Sequence, residues 1–437
     1  MRLRALAGAA LLLAVAAPAA EGKQFNVSGE ARLDFTASVP GTAWDRAGRE
    51  AALLNVRVDG RHVADVVTFA GAERFRYETA VGRLGRGRHH VAVTLDRAKS
   101  PPGLRPRIGR LRLSATPSRA ARHAPILYGR DLPEIPGRYE NVRTDVPLLA
   151  YHTTASDGGR TTIEYTVIWS NEDGGTNTPA LMARWGRTTD IEWIYRVTLA
   201  PDGRLESPVY QAHDHQTLEF DGAHEGAHPL LQTATANNNL LPVKDPRVSS
   251  GYRFFLDSSR VLPAGRAREA VMDANPWTYQ VMAREMLREG RLEPIADPAT
   301  PEVSDQRGYL YAEVDKATTY ATPPASGSWV GTALAVQVGG RWYTSHHGTP
   351  DWSIQRDDPA ATTVELPPGT GAADVQAVKA VAVPVGTPPA GWRIVVTSIN
   401  RGFLLGGDYL PGASLVTWRG SAALTADSPE AVLWMRN

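Results

Sequence analysis

The stretch Leu54-Asn55-Val56-Arg57-Val58-Asp59-Gly60-Arg61-His62-Val63 carries the clearest signal for the fold of this 437-residue chain. Apolar and polar residues alternate from Leu54 to Val58, as side chains do on a strand with one buried face. Asp59-Gly60 follows, and this dipeptide favours a two-residue hairpin turn because both residues tolerate positive φ. The pattern therefore predicts a hairpin within an antiparallel sheet.

Similar alternation appears on both sides of this hairpin, at residues 31–35 and 90–95. Short alternating segments between turns are typical of a small antiparallel β-sandwich, and we expect one over residues 24–116. Such domains in exported bacterial proteins often bind carbohydrate. A spacer domain without a ligand is the alternative.

The rest of the chain is also rich in turns and strands, with 40 glycines and 32 prolines. We expect a mainly β fold made of antiparallel β-sandwich domains, with boundaries that give a central domain over 117–300 and a C-terminal domain over 301–437. The central β-sandwich domain carries at least one helix, predicted over Trp277–Glu289. Asn275 is the expected cap of this helix, Pro276 suits its first turn and Gly290 can end it.

The first nineteen residues have the three parts of a cleavable secretory signal peptide. Arg2 and Arg4 are positively charged, residues 6–17 form an uninterrupted apolar run, and Ala17-Pro18-Ala19 offers small residues for cleavage. No later segment is long and apolar enough to cross a membrane as a helix. The sequence thus predicts a secreted or periplasmic protein, and without any cysteine its stability must come from packing or a bound metal.

The charge balance argues against one class of partner. The chain has 47 basic and 46 acidic residues, which is not the composition of a dedicated nucleic-acid binder. Nearly all the basic residues are arginine, as a GC-rich bacterial genome would give. No glycine-rich nucleotide fingerprint, P-loop or Gly-x-Ser-x-Gly motif is present.

A polar region between His152 and Asn239 holds five of the eleven histidines. Asp190 and Glu192 would point to one face of an extended segment, because side chains alternate along a strand. An extended His213-Asp214-His215 segment would likewise place both imidazoles on one face. His224 and His228 flank Glu225 in a glycine-rich loop. Imidazole and carboxylate groups together bind divalent metals or act as acid-base pairs. The predicted metal ligands are Asp190, Glu192, His213, His215, His224 and His228, and the ion is Mg²⁺, Ca²⁺, Mn²⁺ or Zn²⁺.

The order of features over residues 123–245 resembles the necrosis-inducing-protein family and the related vacuolar-protein-sorting-like group. The resemblance rests on the opening His123-Ala124-Pro125, the loop 171–178, the segment Arg187-Thr188-Thr189-Asp190-Ile191-Glu192, and the histidine- and asparagine-rich segments that follow. In the family, the matching strand opens with Gly-His-Arg-His-Asp-Trp-Glu. The resemblance implies a shared fold, and it implies that Asp190 and Glu192 match two acids that help hold a divalent cation. Arg187 and Thr189 stand where the family has histidines, and Ile191 replaces its tryptophan.

These observations lead to one functional hypothesis with two alternatives. We expect an exported bacterial protein that binds a glycan or glycolipid through a divalent-cation site in its central domain. The first alternative is a secreted polysaccharide hydrolase or lyase, with Asp190, Glu192 and His213 as catalytic residues. The second is a non-catalytic surface or matrix protein whose polar residues only form a hydrogen-bonded network.

Overall fold

The computed structural model describes residues 22–130, 145–172, 177–248 and 252–436. Strands account for 47% of the chain and helices for 11%, so the expected mainly β fold is confirmed. The predicted signal peptide lies outside the described residues. Among the described helices, none has both the length and the apolar character needed to span a membrane.

Two sheets form the N-terminal sandwich. Its strands are β1 (Lys23–Asn26), β2 (Gly29–Ser38), β3 (Ala52–Val58), β4 (Arg61–Thr68), β5 (Phe75–Leu84), β6 (Arg88–Leu95) and β7 (Arg107–Ala115). One sheet has the order β1-β6-β3-β4 and the other β5-β2-β7. The predicted hairpin joins β3 to β4, and Asp59 and Gly60 have φ values of 51° and 80°. Both values lie in the left-handed region that this turn requires, so the prediction is confirmed.

The central part is a second pair of sheets with most of the helices. Its elements are α1 (Arg119–Arg122), β8 (Ile126–Tyr128), β9 (Pro147–Asp157), β10 (Arg160–Trp169), α2 (Thr178–Trp185), β11 (Ile191–Leu199), β12 (Leu205–Gln211), β13 (Thr217–Glu219), β14 (His224–Glu225), β15 (His228–Thr233), β16 (Leu240–Pro242), β17 (Arg253–Phe254), α3 (Ala270–Asp273) and α4 (Trp277–Glu289). One sheet runs β13-β12-β11-β10-β9 and the other β14-β15-β8-β17. Among the described strands, β8 and β15 form the parallel pair, and the other pairs are antiparallel.

The C-terminal part is a third sandwich of two four-stranded sheets. Its strands are β18 (Tyr309–Thr319), β19 (Trp329–Val338), β20 (Arg341–Thr344), β21 (Ala360–Glu365), β22 (Val375–Val385), β23 (Arg393–Phe403), β24 (Trp418–Leu424) and β25 (Glu430–Met435). The sheet orders are β21-β18-β23-β24 and β20-β19-β22-β25.

The three sandwiches are joined by apolar packing. One core runs without interruption from the N-terminal sandwich (Leu33, Phe35) into the central one (Ile126, Tyr165). A smaller cluster connects Met282 of α4 and the central sheet to strands β18 and β23. The inner faces of the C-terminal sheets have their own core. The central sandwich therefore packs against both neighbouring sandwiches. This packing holds the polar side chains at one end of the central sandwich in place.

Candidate functional site

The two acids of the sequence motif lie where β11 begins. Asp190 accepts a backbone hydrogen bond from Trp169 at 2.9 Å through its carbonyl, and Ile191 is the first residue of the strand. Glu192 stands opposite Val167, a fully buried residue of β10. Because side chains alternate along a strand, Asp190 and Glu192 both point between the two sheets of the central sandwich.

Two arginines hold this strand end in place. The Arg187 guanidinium donates from Nε to Glu269 at 2.9 Å, and both side chains are buried. Arg187 also donates to the Thr189 carbonyl. Arg268 donates to the Ile191 carbonyl at 2.7 Å. Arg187 therefore anchors the segment that carries the two acids.

The partner of Asp190 comes from the opposite sheet. A turn after β15 places Asn238 at a φ of 50°, a left-handed conformation that asparagine tolerates better than most residues. Asn238 Nδ2 donates to Asp190 Oδ2 at 3.0 Å. Arg130 donates to the Ala236 carbonyl at 3.2 Å and so supports the same turn. Asp190 is thus bonded across the sandwich.

The partners of Glu192 come from the end of β12. Gln211 Nε2 donates to Glu192 Oε2 at 2.6 Å and lies 2.8 Å from His215 Nδ1. Residues 213–215 form a 3₁₀ turn and not the extended segment that the sequence predicted. Asp214 and His215 have φ values of 54° and 57°, and this bend brings His215 Nδ1 to 3.8 Å from Glu192 Oε2.

We call Asp190, Glu192, Gln211, His215 and Asn238 the polar cluster. Among the described residues, the side-chain oxygens of Gln211 and Asn238 are buried without a hydrogen-bond partner. Both side chains are about 1% exposed. Their amide nitrogens face the carboxylates, which leaves the oxygens unsatisfied, and a buried unpaired polar atom is costly. Such atoms point to a missing partner.

The electrostatic environment of the polar cluster disfavours the ionised form of Asp190. Burial raises the pKa of Asp190 well above its ordinary value, and the negative charges of Glu192 and Glu172 raise it further. The Arg187 charge and the Asn238 hydrogen bond act in the opposite direction without reversing the shift. A bound cation would remove this repulsion, because it favours the ionised carboxylate.

The structure places the other three predicted histidines elsewhere. His213 is exposed and pairs with Asp214, with Nδ1 and Oδ2 2.9 Å apart. His228 is buried, with Nδ1 2.9 Å from the Ala124 carbonyl and Nε2 3.2 Å from Glu30. His224 packs edge-on against the Phe220 ring. Of the six predicted ligands, the structure brings together Asp190, Glu192 and His215.

Comparison with known proteins provides little information about the polar cluster. No protein-family model and no curated protein sequence matches the chain. Solved structures with similar segments include NLPPya in complex with mannosamine, at 14% identity over 32% of this chain and 70% of that chain, with a TM-score of 0.21. The EclA C-terminal domain, a sugar-binding protein, is 16% identical over 25% of this chain and 82% of that chain, with a TM-score of 0.15. A GH2 β-galacturonidase from Eisenbergiella tayi bound to galacturonate is 14% identical over 35% of this chain and 22% of that chain, also at 0.15. At TM-scores this low, we draw no conclusion from these similarities.

The donor set of the polar cluster is mainly oxygen. Within the described parts of the chain, no three His, Asp or Glu side chains are grouped to hold a metal ion. The cluster instead combines two carboxylates with two side-chain amides whose nitrogens face the carboxylates, and His215 adds a ring nitrogen at its edge. Hard cations such as Mg²⁺ and Ca²⁺ prefer oxygen donors, and with both amides turned over the carboxylate and amide oxygens of these residues would fit the predicted group.

The sequence did not identify Gln211 and Asn238 as members of the site. The asparagine run at 237–239 was a usable signal, because asparagine favours left-handed turns that expose polar groups. Gln211 gave no such signal. Its position depends on the register of β12 against β11 and on the bend at 213–215.

Proposed function

We propose that the polar cluster binds a divalent cation and, through it, a glycan or glycolipid head group. The observation that carries this proposal is a buried carboxylate beside a second one, flanked by two buried amide oxygens without partners. Carboxylates of like charge repel each other, and unsatisfied amide oxygens are costly in the same place. A cation bound between the carboxylates would relieve their repulsion, and with the two amides turned over it would also bind the amide oxygens.

The oxygen donors favour Mg²⁺ or Ca²⁺ among the four ions expected from the sequence. Ca²⁺ takes six to eight oxygen ligands, and Mg²⁺ usually keeps several waters. With one oxygen each, Asp190, Glu192, Gln211 and Asn238 would supply about four ligands, fewer than either shell needs. The remaining positions are therefore open to water or to hydroxyl groups of a ligand. Mn²⁺ or Zn²⁺ would draw on the His215 nitrogen as well.

The rim of the cluster offers polar groups for such a ligand. The His215 side chain is 53% exposed, and its Nε2 lies 3.3 Å from Asn237 Nδ2. An imidazole and an amide at the mouth of a cation site can exchange hydrogen bonds with sugar hydroxyls or with a phosphate. A neutral glycan and a glycolipid head group both supply these oxygens.

The burial of Asp190 is more consistent with a role in binding than with a role as the general acid of a hydrolase. A general acid must reach the oxygen that it protonates, within about 3 Å. Asp190 is only 2% exposed and is bonded to Asn238, so its raised pKa does not place a proton at the surface. His213 points to solvent beside Asp214 and is not bonded to either acid of the polar cluster.

A glycan array tests the proposal with the full-length protein. We expect binding in millimolar Ca²⁺ or Mg²⁺, loss of binding in EDTA, and recovery when the cation is restored. Glu192→Gln should lose most of the signal because it removes one cation ligand. His213→Ala is the matched control and should bind like the wild type. Binding that persists in EDTA and in Glu192→Gln would refute a cation-dependent site.

We propose in addition that the protein is exported, because residues 1–19 have the composition of a signal peptide. Mass spectrometry of the protein from its native host should then find a mature chain that begins at or near Ala20. A chain that retains Met1 to Ala19 in the cytoplasmic fraction would refute export.

A further inference from the structure

A second charged surface lies on the N-terminal sandwich, on the outer face of the sheet β5-β2-β7. We call Arg74, Arg76, Arg110 and Arg112 the arginine face. Arg110 and Arg112 are two residues apart on β7 and therefore project from the same side. Arg112 is paired with Asp34 of β2, and Arg76 with Thr36, so the side chains converge over β2.

One carboxylate lies among these four guanidinium groups. Asp34 accepts hydrogen bonds from Arg76 at 2.7 and 3.2 Å. Arg74 is turned to the Thr36 hydroxyl at 3.2 Å. Arg110 and Arg112 are exposed, and neither side chain has a hydrogen bond or ion pair among the described residues. The face thus carries excess positive charge on a chain whose net charge is only +1.

The arginine face surrounds a shallow hollow in the protein surface. A depression of about 160 Å³ is lined by Asp34, Phe35, Thr36, Arg76, Arg110 and Arg112. Gly109 lies against Thr36, since a Cβ at that position would collide with the Thr36 hydroxyl and lie 2.9 Å from Arg74 Nη2. The missing side chain lets the Arg74 guanidinium lie against the sheet.

We propose that the arginine face binds an acidic polysaccharide through the carboxylates of its sugar units. Guanidinium groups bind carboxylates through paired hydrogen bonds, and two unpaired arginines on one strand can engage successive carboxylates. Single-stranded nucleic acid is less well matched, because sequence-tolerant binding of it uses exposed aromatic rings for stacking. Phe35, the aromatic residue that lines the hollow, is 1% exposed.

This site is separate from the polar cluster and does not depend on a cation. It lies on the outer face of the N-terminal sandwich, whereas the polar cluster lies between the sheets of the central one. Binding at the arginine face should therefore weaken with salt and be insensitive to EDTA. The two proposals can fail independently.

The test is a titration of the full-length protein, in EDTA, with polygalacturonate and with its fully methyl-esterified form. We expect binding of the acid form only, and about a tenfold loss of affinity when Arg110→Ala and Arg112→Ala are combined. Arg86→Ala with Arg88→Ala is the control, because it removes the same charge from the turn between β5 and β6 and from the start of β6. This control should bind like the wild type.

Three results would overturn the proposal. The esterified polymer could bind equally well, the Arg110→Ala, Arg112→Ala variant could keep the wild-type affinity, or an oligonucleotide of matched charge could bind more tightly to the same arginines. Circular dichroism and a melting curve establish that the variants are folded. Substitution of exposed, unpaired side chains should leave the melting temperature unchanged within about a degree.

Discussion

At the residue scale, the central feature is a carboxylate that the fold buries beside other carboxylates. Asp190 is positioned by Arg187 on its own segment and by Asn238 from the opposite sheet. Its neighbours Glu192 and Glu172 oppose its ionisation. Burial and these neighbours therefore favour the protonated form of Asp190, whereas a cation at this position would favour the ionised form.

Asp190→Asn should change how stability depends on pH when no divalent cation is present. The folded-state pKa of Asp190 lies above its unfolded value, so Asp190 lowers the stability of the fold at pH values above the unfolded pKa. This penalty disappears as pH falls through the raised folded pKa towards the unfolded value. Urea denaturation in EDTA should show the asparagine variant more stable than the wild type at pH 7, with the difference shrinking at acidic pH. Parallel stability curves would contradict the assignment.

His123 should show the opposite dependence. Burial, followed by the positive charge of Arg122, lowers its pKa to about 4. The unfolded chain binds a proton near the ordinary histidine pKa of about 6.5, whereas the folded chain resists it. The stability contributed by the neutral ring is therefore present above that pH and is lost as pH falls from about 6.5 to about 4. His123→Phe should flatten this part of the stability curve, and an unchanged slope would show that the group is accessible to protons.

At the element scale, the sequence predicted the extent of helix α4 but not the contacts at its start. Helix α4 begins and ends at the predicted residues, because an amphipathic period is a local signal. The predicted cap of α4 was wrong. Asn275 instead donates to the Val271 carbonyl, because α3 runs almost directly into α4. The bend at 213–215 was also missed, since its left-handed residues are not glycines.

The C-terminal end of α4 offers a clean test of backbone conformation. Gly290 has a φ of 67°, and a Cβ there would meet nothing within 4 Å. Gly290→Ala should therefore lower the free energy of unfolding by about 1 kcal/mol through backbone strain alone. Gly290→Asn is the control and should lose less, because asparagine tolerates this conformation. Equal losses in urea denaturation would mean that side-chain contacts, not φ, decide the effect.

The N-terminal end of α4 is fixed by aromatic packing against the first sandwich. The Trp277 ring stacks on Phe69 with centroids 4.4 Å apart and meets Phe75 edge-on at 5.5 Å. Trp277→Ala should cost about 3 kcal/mol of unfolding free energy, while Trp277→Phe should cost clearly less. A loss below about 1 kcal/mol for the alanine variant in urea denaturation would show that this contact does not join the two parts.

At the scale of the whole molecule, the N-terminal and central sandwiches share hydrogen bonds as well as a core. The backbone N–H of Arg253 donates to Asp65 at 2.8 Å, and Thr79 donates to the Phe255 carbonyl at 2.7 Å. Three β-rich parts were predicted from the sequence, but this continuity was not, because it depends on contacts between residues nearly two hundred positions apart. For the same reason, both acids of the polar cluster could be predicted from the sequence, but only part of their surroundings could.

This continuity predicts cooperative unfolding of residues 22–290. Amide hydrogen exchange, followed by mass spectrometry of peptides from β2–β7 and from β8–β17, should reveal one shared global opening for the slowest amides. Asp65→Ala should speed exchange in both sets of peptides, because Asp65 also accepts hydrogen bonds from Asn55 and His62. Faster exchange confined to the N-terminal peptides would show that the two sandwiches unfold separately.

The most direct test of the central claim is the metal content of the protein. Untagged wild-type protein and Asp190→Asn are stripped with EDTA, equilibrated with millimolar Ca²⁺ and Mg²⁺, passed through a desalting column and analysed for metals. We predict about one divalent ion per wild-type chain and none on Asp190→Asn. Both proteins should be folded by circular dichroism. A fully folded wild-type protein without bound metal, or equal metal on both proteins, would contradict the account.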